Sequence, residues 1–221
     1  MSLRAVLFDW DGTLVDSAEA TYRSYVSLFA SFGIPFDRSR FAESYSPNWQ
    51  DTYRRVGLGE EHWPAADRRW MDLYGQERNA LIPGVLPALK RLRAAGLLLG
   101  LVTSGDRDRV SSELRALELE RFFRVVVCGG DLPARKPRPE PLLLALERLQ
   151  VEARDAAYVG DSPEDVLMTR AAGAFAVAIP GGFPNHRALE ASTPDARAAS
   201  LEAAVALLLA RGGPQRHSDY S

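Results

Sequence analysis

Two carboxylates lie two residues apart near the start of the chain, in the string DWDGT at residues 9–13. They follow the apolar run AVLF at residues 5–8, whose composition is typical of a buried strand. In an extended chain the side chains of Asp9 and Asp11 point to the same side, and Gly12 permits a sharp turn away from the strand. Two acids can therefore face one ligand, although an ordinary turn built from aspartate and glycine would use the same residues.

A second polar cluster, TSGD at residues 103–106, follows an apolar run at residues 97–102 and precedes a helical pattern. Hydroxyl groups and free amides at the N-terminus of a helix suit a bound phosphate, and the helix dipole adds to the attraction. Thr103, Ser104 and Gly105 are the candidates for such contacts. A helix N-cap would use the same residue types, so this cluster alone does not decide between the two interpretations.

Lys136 lies in a third cluster, the proline-rich loop LPARKPRPEP at residues 132–141, which follows the apolar run at residues 125–128. The prolines restrict the backbone and could aim the lysine into a crevice as a compact positive charge. A merely solvated lysine would be unusual in such a loop. Arg135 and Arg138 are expected to face solvent or to brace the loop.

A fourth cluster, GDSPED at residues 160–165, follows the apolar run at residues 156–159. Magnesium in proteins is usually bound by one or two carboxylates together with phosphate and water, so Asp161 and Asp165 are candidate ligands. The same string also fits a helix start, in which a serine or aspartate caps the helix and a proline opens it. Both interpretations can hold together.

Short apolar runs alternate with longer helical patterns, which is the rhythm of a parallel sheet covered by helices on both faces. We expect strands at residues 5–8, 97–102, 125–128, 156–159 and 174–179, and helices at residues 84–95, 107–117, 140–149 and 164–172. In an open parallel sheet, ligands bind in the crevice at the carboxyl ends of the strands. All four polar clusters follow a predicted strand, so this α/β fold would bring them to one edge.

One segment interrupts this rhythm, because between residues 16 and 83 the sequence shows helical signals and no convincing strand. Apolar residues recur there at helical spacing, and Ser46-Pro47 and Trp63-Pro64 are typical of helix starts. We therefore expect a helical domain at residues 16–83, inserted into a core domain that comprises residues 1–15 and 84–211. The polar tail at residues 212–221 is expected to be disordered.

Composition limits the partners and the location. The 221 residues carry a net charge of −2, so no broad basic surface points to nucleic acid or to an anionic membrane. The single cysteine, Cys128, excludes an internal disulfide and fits a reducing compartment. No signal peptide or membrane-spanning run is evident, so we expect a cytoplasmic protein whose partners are small molecules. The oligomeric state does not follow from the sequence.

The four clusters together resemble the motifs of the haloacid dehalogenase-like superfamily, in particular its phosphatases of the phosphoglycolate phosphatase and β-phosphoglucomutase type. The first motif, DxDGT, is matched at residues 9–13, the second by Thr103, the third by Lys136, and the fourth, GDSxxD, at residues 160–165. The resemblance extends from Val6 to Leu208. It implies a Rossmann-like core with a small all-helical cap inserted after the first strand.

The resemblance also implies a Mg²⁺-dependent phosphatase that acts on a small phosphate ester. Asp9 would be the nucleophile that forms an aspartyl phosphate, and Asp11 would act as general acid and base with a pKa raised by the closed cap. Thr103 and Lys136 would complete the catalytic set. Gly12, Thr13, Ser104 and Gly105 would contact substrate, and the metal would be held by Asp9, the backbone carbonyl of Asp11, Asp161 and, directly or through water, Asp165.

Three further expectations follow from this resemblance. Trp10 stands where the family more often has leucine or methionine, and it should point away from the ligand without affecting the chemistry. Asp9→Asn should abolish turnover, and Lys136→Ala should cut it heavily while the fold stays intact. The arginines of the cap are expected to form a solvated helix face.

Alternative functions use the same framework. A phosphomutase would share Asp9 and Asp11, but resembling mutases tend to carry a histidine just after the first motif, and none lies between Asp11 and Phe32. A haloacid dehalogenase would attack carbon and would need neither Asp11 nor magnesium. A non-catalytic metal-binding module of the same fold would usually have lost an essential residue. The intact motifs favour the phosphatase.

Overall fold

The apolar runs of the sequence form one parallel sheet in the computed structural model, which describes residues 3–211. The strands in chain order are β1 (Ala5–Phe8), β2 (Val15–Asp16), β3 (Ala80–Leu81), β4 (Leu98–Asp106), β5 (Val125–Gly129), β6 (Ala156–Gly160), β7 (Phe175–Ala178) and β8 (Ala196–Arg197). Six of them form the main sheet in the order β5-β4-β1-β6-β7-β8, and β2 pairs with β3 separately in an antiparallel ribbon.

Helices cover both faces of this sheet. In chain order they are α1 (Ala18–Ser31), α2 (Arg38–Ser44), α3 (Trp49–Val56), α4 (Trp63–Tyr74), α5 (Val85–Ala94), α6 (Arg107–Ala116), α7 (Glu140–Leu149), α8 (Pro163–Ala172), α9 (His186–Ala191) and α10 (Leu201–Arg211). Every residue of β1 and β6 is buried, as expected for central strands covered on both sides. The predicted α/β architecture is therefore confirmed.

The register of the central strands decides where the polar clusters meet. Phe8 at the end of β1 lies opposite Leu101 in β4 and opposite Val159 in β6. Because all three strands run parallel, the residues that follow them reach the same edge of the sheet. Two apolar clusters, one on each face, hold this arrangement.

Five predicted strands are confirmed, and their bounds differ by up to four residues. The largest difference is in β4, which continues from Val102 to Asp106 after a shift in its register with β5. The sequence did not predict β8 or α9, because two and six residues are too short for a readable period. It also did not predict α10, a helix that packs its apolar face against α5.

The segment between β2 and β3 contains four helices, α1 to α4, with an apolar cluster of their own. Aromatic rings dominate this cluster; Phe29 and Phe36, for example, lie 4.7 Å apart between ring centroids. The predicted helix start at Trp63 is confirmed, whereas α3 begins at Trp49, two residues after the predicted start at Ser46-Pro47. The expectation of no strand between residues 16 and 83 was wrong at β3, which exists only as the partner of β2.

The division into a core and an inserted helical domain, with the bounds given above, stays a prediction. No helix within residues 3–211 is both long and apolar enough to span a membrane. The predicted disordered tail at residues 212–221 lies outside the described residues.

Candidate active site

One cavity of about 360 Å³ opens at the carboxyl edge of the sheet, between the strand ends and the helices α1, α3 and α4. Residues from all four polar clusters line it. From the core these are Asp9, Asp11, Thr103, Ser104, Gly105, Lys136 and Asp161. The side chains that the sequence places far apart along the chain therefore share one cleft.

Lys136 is the centre of the charged network at the strand end of the cavity. Its ammonium group donates hydrogen bonds of 2.7 Å each to Asp9 Oδ1, to Asp165 Oδ1 and to the hydroxyl oxygen of Tyr158. The Tyr158 hydroxyl in turn donates to the carbonyl of Val102 at 2.6 Å. All three donors of the lysine are thus used, and its position is fixed relative to the first and fourth clusters.

The charges in this network shift one another's pKa. Burial disfavours the charged lysine, but the carboxylates of Asp165 and Asp9 outweigh it and raise the pKa of Lys136 above its usual value. Burial raises the pKa of Asp9 to about 7, since Lys136 offsets only part of that effect. Burial and the neighbouring carboxylates of Asp9 and Asp165 raise the pKa of Asp161 well above its ordinary range. Three buried carboxyl groups share one lysine, so ionisation of all three would leave an excess of negative charge.

Asp165 has both of its carboxylate oxygens occupied. Lys136 binds Oδ1, while the amide and the hydroxyl of Ser162 donate to Oδ2 at 3.1 and 2.7 Å. The amide of Asp165 donates back to the Ser162 hydroxyl, which forms a capping box at the start of α8. Helix capping and site formation therefore coexist in this cluster, as the sequence allowed.

Asp161 differs from Asp165 because its Oδ2 is buried without a hydrogen-bond partner among residues 3–211. Two glycines leave room for this oxygen. A Cβ placed on Gly12 would lie 2.2 Å from it, and one placed on Gly181 would lie 1.8 Å from it. An unpartnered buried carboxylate oxygen is costly, so a positively charged ligand is the natural complement of this position.

The donor set fits a magnesium ion. Carboxylate oxygens of Asp9, Asp161 and Asp165 lie within 4.8 Å of one another, all three residues are buried, and hard oxygen ligands are the ones Mg²⁺ prefers. The unpartnered oxygen of Asp161 supports the same conclusion. Because both oxygens of Asp165 are already hydrogen-bonded, Asp9 and Asp161 are the stronger candidates for direct contact.

Gly12 and Thr13 do not line the cavity. The Gly12 amide donates to the carbonyl of Val15, and the Thr13 hydroxyl lies 3.4 Å from Asp161 Oδ1 in a fully buried position. They shape the turn after β1 and the surroundings of Asp161, and the substrate contacts expected for these two residues stay a prediction.

In the second cluster, at residues 103–106, one residue caps the following helix and the others line the cavity. Asp106, rather than Thr103 or Ser104, caps α6 by accepting hydrogen bonds from the amides of Asp108 and Arg109. Thr103 is buried, and its hydroxyl accepts a hydrogen bond of 3.0 Å from the Gly105 amide. The threonine and serine hydroxyls are thus not needed for capping, which leaves them at the cavity wall.

Asp11 is held by a buried arginine that the sequence interpretation missed. Arg109 on α6 donates to Asp11 Oδ2 at 2.6 Å and to Oδ1 at 3.1 Å, and it also contacts Glu113 at 3.1 Å. Burial opposes the charged form of Asp11, but the Arg109 guanidinium outweighs it and lowers the pKa of Asp11. The expectation that the cap raises this pKa is therefore wrong for this conformation.

A protein-family match covers the same residues. Residues 6–179 match the family described as haloacid dehalogenase-like hydrolase, and they include all four clusters. The chain belongs to this family. Its members among the curated relatives include phosphoglycolate phosphatase 1 of Pseudomonas aeruginosa, which is 34% identical over 86% of this chain and 74% of the relative.

Solved structures give the same result for the fold. A predicted phosphoglycolate phosphatase from Haemophilus somnus matches with a TM-score of 0.84, at 23% identity, over 94% of this chain and 99% of its own. CbbY from Rhodobacter sphaeroides, solved in complex with phosphate, matches with a TM-score of 0.73, at 25% identity, over 90% of this chain and 95% of its own. The chain is a haloacid dehalogenase-like phosphoric monoester hydrolase.

In this haloacid dehalogenase-like hydrolase, Trp10 is buried and points away from the cavity, as expected. It is nevertheless connected to the site. Its indole nitrogen donates to Glu113 at 2.6 Å, and Glu113 accepts from Arg109, which holds Asp11. The expectation that Trp10 does not affect the chemistry stays a prediction, and this chain of hydrogen bonds from the indole to the arginine beside Asp11 gives a way to test it.

Two residues of the site had weak signals in the sequence. Arg109 stands in the first turn of α6, where the helix dipole disfavours a cation, and that placement was a usable sign of a partner nearby. Tyr158 interrupts an otherwise aliphatic strand two residues before its end. A tyrosine that is fully buried needs a partner for its hydroxyl, but the sequence alone does not say which.

Proposed function

We propose that the protein is a Mg²⁺-dependent phosphatase that hydrolyses a small phosphorylated metabolite through an aspartyl-phosphate intermediate on Asp9. One observation carries this proposal. Lys136 joins Asp9 and Asp165 at the same edge of the sheet where Asp161 presents an unpartnered carboxylate oxygen. Such a site combines a nucleophile, a fixed countercharge and ligands for a divalent cation.

Asp9 is the proposed nucleophile. Lys136 binds its Oδ1, and among the described residues no hydrogen bond reaches its Oδ2, which leaves that oxygen for attack on phosphorus. Attack forms a bond between Asp9 and phosphorus and releases the alcohol of the ester. Water then cleaves the aspartyl phosphate, so one difficult displacement is divided into two easier ones.

Asp11 is the proposed proton donor and acceptor. It lines the cavity beside Asp9, where it would protonate the leaving oxygen and later take a proton from water. The contact with Arg109 favours its ionised form, which is the form required for the second step. The first step requires the protonated form, so this contact must weaken when substrate is bound.

The remaining groups of the site would stabilise the charge of the transferring phosphoryl group. Lys136 supplies a fixed positive charge, while Thr103 and Ser104 line the same cavity at the end of the neighbouring strand and would donate hydrogen bonds. Magnesium, held by Asp9, Asp161 and the Asp11 carbonyl, with Asp165 behind them, would neutralise developing negative charge on the phosphoryl oxygens. Gly12 and Thr13 would keep Asp161 in position.

The helical segment at residues 16–83 is the proposed cap. Its helices α1, α3 and α4 form the wall of the cavity opposite the strand ends, so it would exclude bulk water during the reaction and contact the leaving group. Phosphoglycolate is the substrate named for curated relatives, and it belongs in any panel of test substrates.

We also propose that the protein acts in the cytoplasm on small molecules, without nucleic acid or membrane partners.

A phosphomutase remains the nearest alternative, since it would use the same two aspartates. No histidine of the described chain lines the cavity, which agrees with hydrolysis rather than with return of the phosphoryl group to a sugar. The two functions differ in their product. Release of inorganic phosphate in proportion to substrate consumed supports the phosphatase, and an isomeric sugar phosphate would support the mutase.

The experiment is phosphate release from a panel of phosphorylated metabolites and one aryl phosphate, with Mg²⁺ and with a chelator. We expect release only with the metal. Asp9→Asn serves as the inactive variant, and Asp16→Asn, an exposed aspartate in β2, serves as its matched control. Equal release by wild type and Asp9→Asn, or release independent of the metal, would contradict the proposal.

A further inference from the structure

The cavity has a second end, formed by the cap helices, that the proposed chemistry does not use. We name it the cap end; its members are Thr21 and Tyr25 on α1, Trp49 and Tyr53 on α3, and Asp67 and Trp70 on α4. Spacings of three or four residues place the members of each helix on one face. The cap end is thus an aromatic pocket that contains a single carboxylate.

Positive charge is missing from the cap end. The segment at residues 17–83 carries eight arginines, and within the described chain none of them lines the cavity. Arg54 pairs with Asp51, and Arg55 donates to the carbonyl of Tyr45. A leaving group with a carboxylate would therefore face Asp67 without a cation from the cap, which is an unfavourable contact in a partly buried place.

Three buried polar atoms of the cap end have no hydrogen-bond partner among residues 3–211. They are Oδ1 of Asp67 and the indole nitrogens of Trp49 and Trp70. The carboxylate oxygen needs a donor, whereas the two indole N–H groups need acceptors. An unsatisfied buried polar atom keeps its cost of desolvation, so a ligand that satisfies all three gains both affinity and specificity.

A hydroxyl group is both a donor and an acceptor, and it carries no charge. An ammonium group could satisfy Asp67 and lie against the aromatic rings, but it offers nothing to the indole N–H groups. A carboxylate could accept from the indoles but would repel Asp67. Of the three chemistries, only an uncharged polyhydroxy group meets every requirement, and the aromatic faces provide a surface for its C–H groups.

We propose that the natural substrate is the phosphate ester of an uncharged polyhydroxy alcohol, and that Asp67, Trp49 and Trp70 select its leaving group by hydrogen bonding. This inference rests on the proposed phosphatase function. It assigns specificity to the cap end and separates this protein from an enzyme selective for phosphoglycolate, whose leaving group carries a carboxylate.

Arg135 is a cation near the cap end that could bind a substrate with a carboxylate. Arg135 lines the cavity from the loop between β5 and α7, and its guanidinium carbon lies 4.4 Å from the centroid of the Trp49 ring. Its side chain is exposed, so it stands at the rim rather than inside the pocket. A carboxylate substrate would use Arg135, whereas the proposed substrate depends on Asp67. The two residues therefore provide opposed variants for one experiment.

The test compares kcat/KM for glycerol phosphate, a pentose phosphate, phosphoglycolate, phosphoethanolamine and an aryl phosphate. We expect a polyol phosphate to be the best metabolite substrate. Asp67→Asn should lower the ratio of kcat/KM for that substrate to kcat/KM for the aryl phosphate by about tenfold or more, and Trp70→Phe should lower it in the same direction. Asp72→Asn, an exposed aspartate on the same helix, should leave the ratio unchanged.

The outcomes distinguish this inference from the proposed function. If phosphoglycolate is the best substrate and Arg135→Gln loses this preference, the inference is overturned but the proposed function is not. A preference for phosphoethanolamine that is lost in Asp67→Asn would have the same consequence. An unchanged ratio in Asp67→Asn would do the same. No Mg²⁺-dependent hydrolysis of any compound, including the aryl phosphate, would overturn both.

Discussion

The two ends of the cavity satisfy their polar groups in different ways. At the strand end, Lys136 and Arg109 bind Asp9, Asp11 and Asp165 through protein contacts of 2.6–3.1 Å. At the cap end, a carboxylate oxygen and two indole nitrogens are buried without such contacts. The strand end is largely organised before substrate arrives, the exceptions being Asp161 Oδ2, whose proposed partner is the metal, and Arg109 Nε, whereas the cap end is completed only by what binds there.

This difference separates chemistry from specificity. Fixed charges accelerate a reaction because they need no reorganisation when charge develops, which suits the strand end. Unsatisfied polar groups discriminate between ligands, because a ligand that cannot form hydrogen bonds with them leaves these groups buried and unpaired, which weakens its binding. The cap end is suited to this selection. Variants at the strand end should therefore affect all substrates alike, and variants at the cap end should change the order of substrates.

The largest effect is expected for Lys136→Met. Removing the ammonium group leaves Asp9 and Asp165 buried together without a countercharge, which should lower the free energy of unfolding by about 3–5 kcal/mol. Turnover should fall about a thousandfold or more, equally for aryl and metabolite phosphates. Urea denaturation and steady-state kinetics measure the two effects. The expectation that the fold stays intact without this lysine is tested by the same urea denaturation.

Lys90→Met is the matched control, because Lys90 is the chain's other lysine and is exposed on α5. It should change neither stability nor turnover appreciably. A Lys136→Met protein as stable as the wild type would show that the strand end is not a tightly coupled charge network.

The second largest effect concerns the dependence of magnesium binding on pH. The folded-state pKa of Asp9 is raised to about 7 from its usual 3.8, so the metal-free folded protein holds a proton there that the unfolded chain loses. Its stability should fall as pH rises through this window, and magnesium, which binds the deprotonated carboxylate, should offset the loss. The increase in Tm caused by Mg²⁺ should thus grow from about pH 5 to about pH 8.

Thermal melts with Mg²⁺ and with chelator at several pH values measure this increase. In Asp9→Asn it should be smaller and should depend less on pH. A magnesium effect on Tm that is the same at every pH would argue against a metal site formed by protonatable carboxylates.

A third effect concerns the arginine that holds the proposed acid and base. Arg109→Gln removes the guanidinium that lowers the pKa of Asp11, so this pKa should rise. An NMR titration of the aspartate carboxyl carbons of the metal-free protein detects the change. Arg107→Gln is the control on the same helix, since Arg107 is exposed and pairs with Asp131. A rise of the Asp11 pKa in both variants, or in neither, would show that Arg109 does not control it.

The smallest effect is expected for a pair of tryptophans, one in the apolar cluster of the sheet and one packed against the cluster of α1 to α4. Trp10→Phe removes a hydrogen bond to the charged Glu113 and should lower the free energy of unfolding by about 2 kcal/mol. Trp63→Phe removes a hydrogen bond to the carbonyl of Leu58 in the cap and should cost about 1 kcal/mol. Urea denaturation compares the two proteins. Equal losses, with no change of turnover in Trp10→Phe, would separate Trp10 from the Arg109 network.

The sequence could predict the strand end because its signals are local. Each cluster follows an apolar run, and parallel strands bring their carboxyl ends together, so the sequence alone predicts Asp9, Lys136 and Asp161 in one cleft. Arg109 and Tyr158 escaped this reasoning. Their roles depend on which side chains face them across the sheet, and a single helix or strand pattern does not contain that information.

The cap end could not be predicted for a related reason. Asp67 lies on an amphipathic helix among arginines and looks like part of a solvated face. Only the packing of α4 against α1 turns it toward the cavity. Short elements such as β3 were missed because a partner strand, rather than their own composition, makes them strands.

The central claim is that Asp9 carries the phosphoryl group between two displacements. The most direct test uses Asp11→Asn with an aryl phosphate, because an aryl leaving group needs no proton donor while the second step still needs a base. After rapid acid quenching, mass spectrometry of the peptide that contains residue 9 should show the added mass of one phosphoryl group on Asp9. Turnover by the wild type without any phosphorylated Asp9, or a phosphoryl group on another residue, would contradict the account.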